Sequence, residues 1–545
     1  MKKILTLTGL LVSAAMYGQH LVSHQLLSSY NNSQIDSIYN SMGLPAMLLP
    51  NQYKIDVYRL VYNTVGPDSV TPVVASGLMV LPKDKNCGSA ILSYQHGTMT
   101  RRVDAPSYRQ GEWILGVAMG SEGYVGLLPD YLGLGLDTSM VHPYQHARSE
   151  ATAVIDHIRA AREACALLSY PLNGQVMLTG YSQGGHATMA THKMIQAGFS
   201  SEFNVTASVP MSGPYSMSGV MKDVMLSSQP YPAPYYLPYV LFSFRNVYGV
   251  YPNVSDFLVS PYDAVLPPLF NGVYGSGTID NAMPGVPKNI LKQAVLDSFT
   301  NDPNHIFRQL LDENDVYKWV PQVPVHMLYC EGDNSVPFEN TIVAYDYMVN
   351  AGAAKVSKNN VNSALDHYEC AQFAMLEMRS FFDTLRMDKV SLSFTTVPPS
   401  DAGAQDGAIT VHVSGALPPY IISWNTGSTS PTLTGIGTGT YTVTVSSPSA
   451  CAPVTASYFV NPMGVSVQEA VKTTLSVFPN PTTGLLNLQS DEMIRAVNIY
   501  DTMGKKVYAS AENSSQVSLD LGGLKNGVYT LVTDREERIR IVISH

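Results

Sequence analysis

Charge is scarce in this chain of 545 residues, where Asp, Glu, Lys and Arg together make up 14%. Disordered chains need the opposite balance, so the composition describes a folded protein with ample core. The net charge of −10 also has the wrong sign for nucleic acid, which selects clustered Lys and Arg. Cysteine is scarce too. Five residues, an odd number, cannot build a disulfide scaffold, and no C-x-x-C pair offers a structural zinc site. Long hydrophobic runs are missing as well. The apolar stretch in "MKKILTLTGLLVSAAMYGQ" falls short of the ~20 residues a membrane span needs. Its two lysines and small-residue end mark residues 1–18 as a secretory signal peptide. The mature chain is expected to be exported and to carry no transmembrane segment.

What is present divides into three regions. Over residues 19–388, apolar runs such as "SAILSYQHG", "GYVGLLPD", "QVMLTG" and "VPVHMLYCEGD" alternate with helix-like segments such as "EATAVIDHIRAAREACALL". That alternation predicts βαβ units, and unbroken apolarity in the strands predicts a mostly parallel sheet covered on both faces. Residues 390–461 are rich in Thr, Ser, Gly and Pro, with short alternating runs that predict a small antiparallel sandwich. A linker is expected at 462–474. Residues 475–545 are again strand-dense, with turns at Asn480-Pro481 and Asn526-Gly527. The fold class expected from these patterns is therefore α/β, a mostly parallel sheet with helices on both faces, followed by two small all-β sandwiches.

The chemistry gathers around "LTGYSQGGHA". Ser182 sits between Gly180 and Gly184, with a buried strand before it and a helix-like segment after it. That context suits a nucleophile on a sharp turn. A serine hydroxyl attacks only when a base takes its proton, and the base must be held by a carboxylate. Asp333, in "EGDNSVP" at a strand end, and His367, in "NSALDHYECA", follow in the required order. Asp366 is adjacent to His367 and is discounted, because neighbouring side chains seldom share a target. Two backbone N–H groups should stabilise an oxyanion, one from Gln183 and one from Gly97 or Thr98 in "ILSYQHGTMT". His96 suits shaping that loop, and Asp130, which precedes the serine, suits a structural role.

"YQHGT", "PDYLGLG", "HPYQHARSEA", "GYSQGGHA", "YCEGDNSVP" and "DHYECA", in this order, resemble the secretory lipase family of α/β-hydrolases. The resemblance spans most of residues 50–385 and implies a serine carboxylic-ester hydrolase with Ser182, Asp333 and His367 as its triad. It also implies a cap inserted before the acid strand, for which residues 215–319 have room. The cap concentrates Tyr, Pro and Phe. Those rings suit a wall that takes an apolar ester group, and equally a cap that simply packs on the body. "VFPNPTTG", "VNIYDTMGKKVY" and "LKNGVYTLVTD" resemble the C-terminal sorting domain of type IX secretion, which implies passage through the periplasm and across the outer membrane. "DGAITVHVSGALPPYIISWNTGST" resembles the repeat module of gliding-type surface adhesins. No metal or organic cofactor is implied. Two rival readings are a secreted serine peptidase with the same triad and a surface adhesin whose hydrolase domain is inert.

Cys330 and Cys370 lie within a few residues of Asp333 and His367. If those two meet, the cysteine Cα atoms come near the ~5.5 Å a disulfide needs. A bridge and a pair of buried thiols both fit, with Cys451 isolated in the sandwich.

Overall fold

The structure, a computed structural model, describes residues 19–42, 51–462, 476–480, 482–501, 505–534 and 538–543. The signal-peptide assignment at 1–18, and the linker from residue 463 on, lie outside the described residues. Strands β1 (Leu21–Tyr30), β2 (Ile55–Val65), β3 (Pro72–Pro82), β4 (Ser89–Gln95), β5 (Val125–Pro129), β6 (Leu172–Tyr181), β7 (Asn204–Met211), β8 (Val325–Tyr329) and β9 (Val356–Asn360) form one sheet. Its order is β1-β2-β3-β5-β4-β6-β7-β8-β9. Neighbours from β5 across to β9 run parallel. β1, β2 and β3 join them antiparallel, so the parallel sheet read from the sequence carries an antiparallel edge.

Helices α1 (Asn32–Ser41), α2 (Trp113–Ser121), α3 (Ala147–Leu167) and α4 (Gln183–Met194) belong to the body. The insertion between β7 and β8 holds α5 (Lys222–Leu226), α6 (Tyr236–Tyr248), α7 (Tyr262–Val265), α8 (Ser276–Asp280), α9 (Gln293–Asn301) and α10 (Ile306–Glu313). The chain then returns to the sheet through α11 (Glu339–Asn350) and α12 (His367–Asp383). Alternation along the strands feeds two cores. Val176 and Leu178 of β6 share one with Val154, Ile155 and Ile158 of α3. Met177 between them shares the other with Val117 of α2 and with Ala374 and Phe382 of α12. The insertion has a third core of its own, including Tyr235, Tyr239, Phe242, Phe244 and Phe257.

Beyond Asp388, β10 (Val390–Val397), β11 (Gly407–Gly415), β12 (Ile421–Trp424), β13 (Thr432–Ile436), β14 (Gly439–Ser446) and β15 (Val454–Val460) form two three-stranded sheets. β16 (Ser476–Phe478), β17 (Leu485–Tyr500), β18 (Lys506–Asp520), β19 (Gly527–Thr533) and β20 (Arg538–Ile543) form an antiparallel sheet. Alternating Leu486, Leu488, Val497 and Ile499 of β17 supply its core.

The chain divides into two compact units, and the first takes in 411–430 and 442–456 along with the hydrolase body. The composition shift at Val390 thus marks a change of structural class rather than the edge of that unit. Within it, Asp388 is buried against Lys85 (2.6 Å) and Arg386 (2.7 Å). The Cys451 N–H donates to the Asp388 carbonyl at 3.0 Å. Cys451 is accordingly not isolated: it is bonded to Cys87, with Cα atoms 5.2 Å apart. Cys165 is a buried free thiol. Peptide mapping without reductant should recover the 87–451 and 330–370 cross-links. Cys87→Ser should lower unfolding free energy by about 2–4 kcal/mol, since the bridge closes a very long loop. Alkylatable thiols at Cys87 and Cys451 in the native protein would contradict the pairing.

Candidate active site

β6 ends at Tyr181 and α4 begins at Gln183, so Ser182 must reverse the chain in one residue. It does so at φ 59° and ψ −122°, a conformation that costs a non-glycine residue on the order of 1–3 kcal/mol. The Ser182 N–H donates to the Met211 carbonyl at 3.0 Å, and its carbonyl accepts the Gly185 N–H at 2.9 Å. A Cβ on Gly180 would lie 2.4 Å from the Gly184 oxygen, and one on Gly184 would lie 1.8 Å from the Gln95 oxygen. Any side chain at either position would push β4 and α4 away from the turn.

Asp333 stands in the loop after β8. Its Oδ1 accepts the N–H groups of Ser335 (3.0 Å) and Val336 (2.8 Å), while Oδ2 lies 2.7 Å from His367 Nδ1. A carboxylate only accepts, so at that distance it fixes the proton on Nδ1 and leaves Nε2 as the ring's acceptor. The Tyr181 hydroxyl donates to the His367 carbonyl at 2.6 Å, with ring centroids 5.1 Å apart, tying the histidine to the residue before Ser182. Asp366 caps α12 instead, accepting the N–H groups of Tyr368 and Glu369 at 2.9 Å each. Cys330 and Cys370 are joined, with Cα atoms 6.0 Å apart, and so fasten the Asp333 loop to the first turn of α12.

The loop after β4 lies beside the serine: a Cβ on Gly97 would sit 3.9 Å from the Ser182 Cβ. The Gly97 amide, however, is committed elsewhere. It donates to the Glu112 carboxylate at 3.1 Å, and Glu112 also accepts the Tyr94 hydroxyl at 2.5 Å. Of the two loop amides considered from the sequence, that leaves Thr98, whose hydroxyl pairs with Tyr144 at 3.0 Å. His96 shapes the loop, with Nδ1 2.7 Å from the Gly97 oxygen and its ring 4.3 Å from that of Tyr131. Asp130 is buried and accepts the Ser76 hydroxyl (2.5 Å) and the Ser107 N–H (2.9 Å), a structural post.

Family models now bear on the chain as a whole. Secretory lipase matches residues 105–220, SprB repeat matches 393–429, and Secretion system C-terminal sorting domain matches 476–544. No curated protein matches. Among solved structures, a Legionella pneumophila protein provisionally assigned as a hydrolase aligns at TM-score 0.62 and 30% identity, covering 67% of this chain and 97% of that one. The ligand-bound rice cell wall degrading esterase LipA from Xanthomonas oryzae aligns at 0.59 and 29%, covering 67% and 96%. The chain belongs to the secretory lipase family. It is a lipase/esterase-like hydrolase on a secreted or cell-surface protein, with a sorting domain that implies the type IX secretion machinery. No helix among the described residues is long and apolar enough to cross a membrane.

Around Ser182 the chain also carries contacts that sequence reasoning missed. The Gln183 side chain donates from Nε2 to His142 Nε2 and to Glu150 Oε1, both at 2.8 Å. His142 sends its other nitrogen to the Leu132 carbonyl at 2.8 Å, and burial holds its pKa down at about 4, so the neutral ring accepts from Gln183. Glu150 Oε2 faces His186 Nδ1 at 2.7 Å, and His186 Nε2 faces the Asn314 carbonyl at 2.9 Å. Burial works to raise the Glu150 pKa, but His186 and Gln183 outweigh it and the carboxyl is held low. These residues lie in "HPYQHARSEA" and "YSQGGHA", and nothing in either segment announces that the two meet.

Ser182 lines a cleft whose walls are mostly apolar. Met217, Met221 and Met225 line it from the start of the insertion, and Tyr231, Tyr236, Leu237 and Val240 from farther along it. The cap aromatics divide between lining the cleft and packing the cap. Tyr239 stacks on Tyr144 at 4.3 Å inside the cap core, while Tyr231 and Tyr236 form wall. Cys87, Asp388 and Cys451 are the group near enough to hold a metal among the described residues. The two thiols are spent in a disulfide and Asp388 is held by Lys85 and Arg386, so the donor set does not suit a cation.

Proposed function

We propose that this protein is a secreted serine carboxylic-ester hydrolase. Ser182 Oγ attacks the ester carbonyl while His367 Nε2 takes its proton, and Asp333 holds the imidazole in the required tautomer. The N–H groups of Gln183 and Thr98 receive the developing oxyanion, helped by the positive end of α4. The tetrahedral adduct collapses as the carbon–oxygen bond to the alcohol breaks and His367 returns the proton to the leaving oxygen. Water then enters by the same route and releases the acid from Ser182. The observation that carries this reading is the His367–Asp333 pair at 2.7 Å, tied through the Tyr181 hydroxyl to the residue before Ser182, which is held at φ 59° and lines an apolar cleft. The substrate is an ester with an apolar group, since that cleft is lined mainly by Met, Leu, Val and Tyr. In this reading residues 19–388 do the chemistry beneath a cap at 215–319, residues 390–461 act as a spacer, and residues 475–545 address the chain across the outer membrane.

A fluorophosphonate probe should label the purified protein at Ser182, and p-nitrophenyl esters should be hydrolysed in preference to peptide anilides. Preference for the anilides would make it a peptidase. Absence of both label and turnover would make it a binding protein with an inert hydrolase domain.

A further inference from the structure

Gln145 is held in the left-handed backbone region at φ 57°, where a residue other than glycine persists only if its surroundings require it. Its side chain is 2% exposed, lines the cleft that contains Ser182, and lies beside the Tyr144 hydroxyl. The Oε1 atom has no hydrogen-bond partner among the described residues. The other polar groups of this wall are engaged: Tyr144 with Thr98 at 3.0 Å, and Tyr231 with the Ser335 carbonyl at 2.5 Å. A buried carbonyl oxygen without a donor is a cost to the folded protein, and natural cores rarely keep one. One on a residue that lines the cleft is relieved when the substrate supplies the donor.

We propose that Gln145 recognises a hydrogen-bond donor on the group seated in the cleft, so that the preferred esters carry a hydroxyl or N–H there rather than plain hydrocarbon. The inference rests on the ester-hydrolase reading above and narrows its substrate class. Methionine and leucine side chains grip the carbon skeleton, and the amide oxygen checks one polar point along it. A site built to pair with a substrate hydroxyl discriminates against the analogue that lacks it, because its own polar atom is then left unpaired.

The test compares kcat/KM for matched esters: p-nitrophenyl butyrate against 3-hydroxybutyrate, hexanoate against 6-hydroxyhexanoate, and hexyl acetate against the monoacetate of hexane-1,6-diol. The native protein should favour the hydroxylated member of at least one pair by about tenfold, the scale of one well-made hydrogen bond. Gln145→Met, similar in length but with no amide, should bring that ratio to within about twofold of one, and Gln145→Glu, which keeps an acceptor, should retain part of it. A merely structural role would lower both members of a pair equally and leave the ratio unchanged. A native ratio near one in every pair, or a ratio that survives in Gln145→Met, overturns the proposal. The native ratios alone suffice should the variants not fold. Turnover of the plain esters reports separately on the ester-hydrolase reading, which fails only if neither member of any pair is cleaved.

Discussion

Ser182→Ala should lower ester turnover by a factor on the order of 10⁶, the loss seen when a well-studied serine protease loses its nucleophile. The residual rate should come from binding and from the oxyanion donors, which the change leaves in place. The fold should survive. The hydroxyl supports no core packing, and the hydrogen bonds that fasten the turn run through the Ser182 backbone to Met211 and Gly185. Alanine meets the same conformational cost at φ 59° that serine does, so melting curves of variant and native protein should nearly coincide. Ser182→Gly should be equally inactive yet melt at or above the native temperature, because glycine relieves that cost. Near-native turnover in either variant, measured on p-nitrophenyl butyrate, would end the assignment of Ser182 as nucleophile. An inactive variant that also melts far below the native protein would move Ser182 from chemistry to structure.

Much of this site was legible in the chain. Strand, glycine, serine, glycine and helix are adjacent in sequence, so the local geometry of Ser182 followed from local rules. Asp333 and His367 were legible because one follows the apolar run that becomes β8 and the other opens a helix-like stretch, in the Ser–acid–His order of the family the chain resembles. Asp366 was set aside only as a neighbour of His367; its role as the α12 cap, in a capping box with Glu369 three residues on, was not read from the sequence. What escaped depends on contacts between segments with no signal of their own. Glu112 is an unremarkable acid in "RQGEWIL", yet its carboxylate accepts the Gly97 N–H, which nothing in that segment announces. Glu150 and His186 meet across two helices, and no spacing rule joins them. The Cys87–Cys451 bond was hidden differently. Composition separates an α/β body from Thr- and Gly-rich strands at Val390, but it carries no information on which of those strands pack back onto the body. Asp388, buried between Lys85 and Arg386 and bonded through its carbonyl to Cys451, is where they do.

The two neighbouring carboxylates should separate cleanly under mutation. Asp333→Asn should reduce kcat by about 10⁴, as expected when the acid behind a catalytic histidine becomes an amide. Oδ1 of residue 333 has its geometry fixed by the Ser335 and Val336 N–H groups, so the new amide's oxygen belongs there and its nitrogen faces His367. That nitrogen donates. It therefore selects the tautomer with the proton on Nε2, the atom that must accept from Ser182, and the base is blocked without any change of shape. Asp366→Asn should change kcat by less than about twofold, because asparagine caps a helix almost as well as aspartate. Its side-chain oxygen can still accept the Tyr368 and Glu369 N–H groups. Steady-state kinetics on one ester, with melting curves to show that both variants fold, decide the matter. A severe loss in Asp366→Asn alongside a mild one in Asp333→Asn would show that the histidine answers to the other acid. Equal, modest losses would show that neither carboxylate orients it.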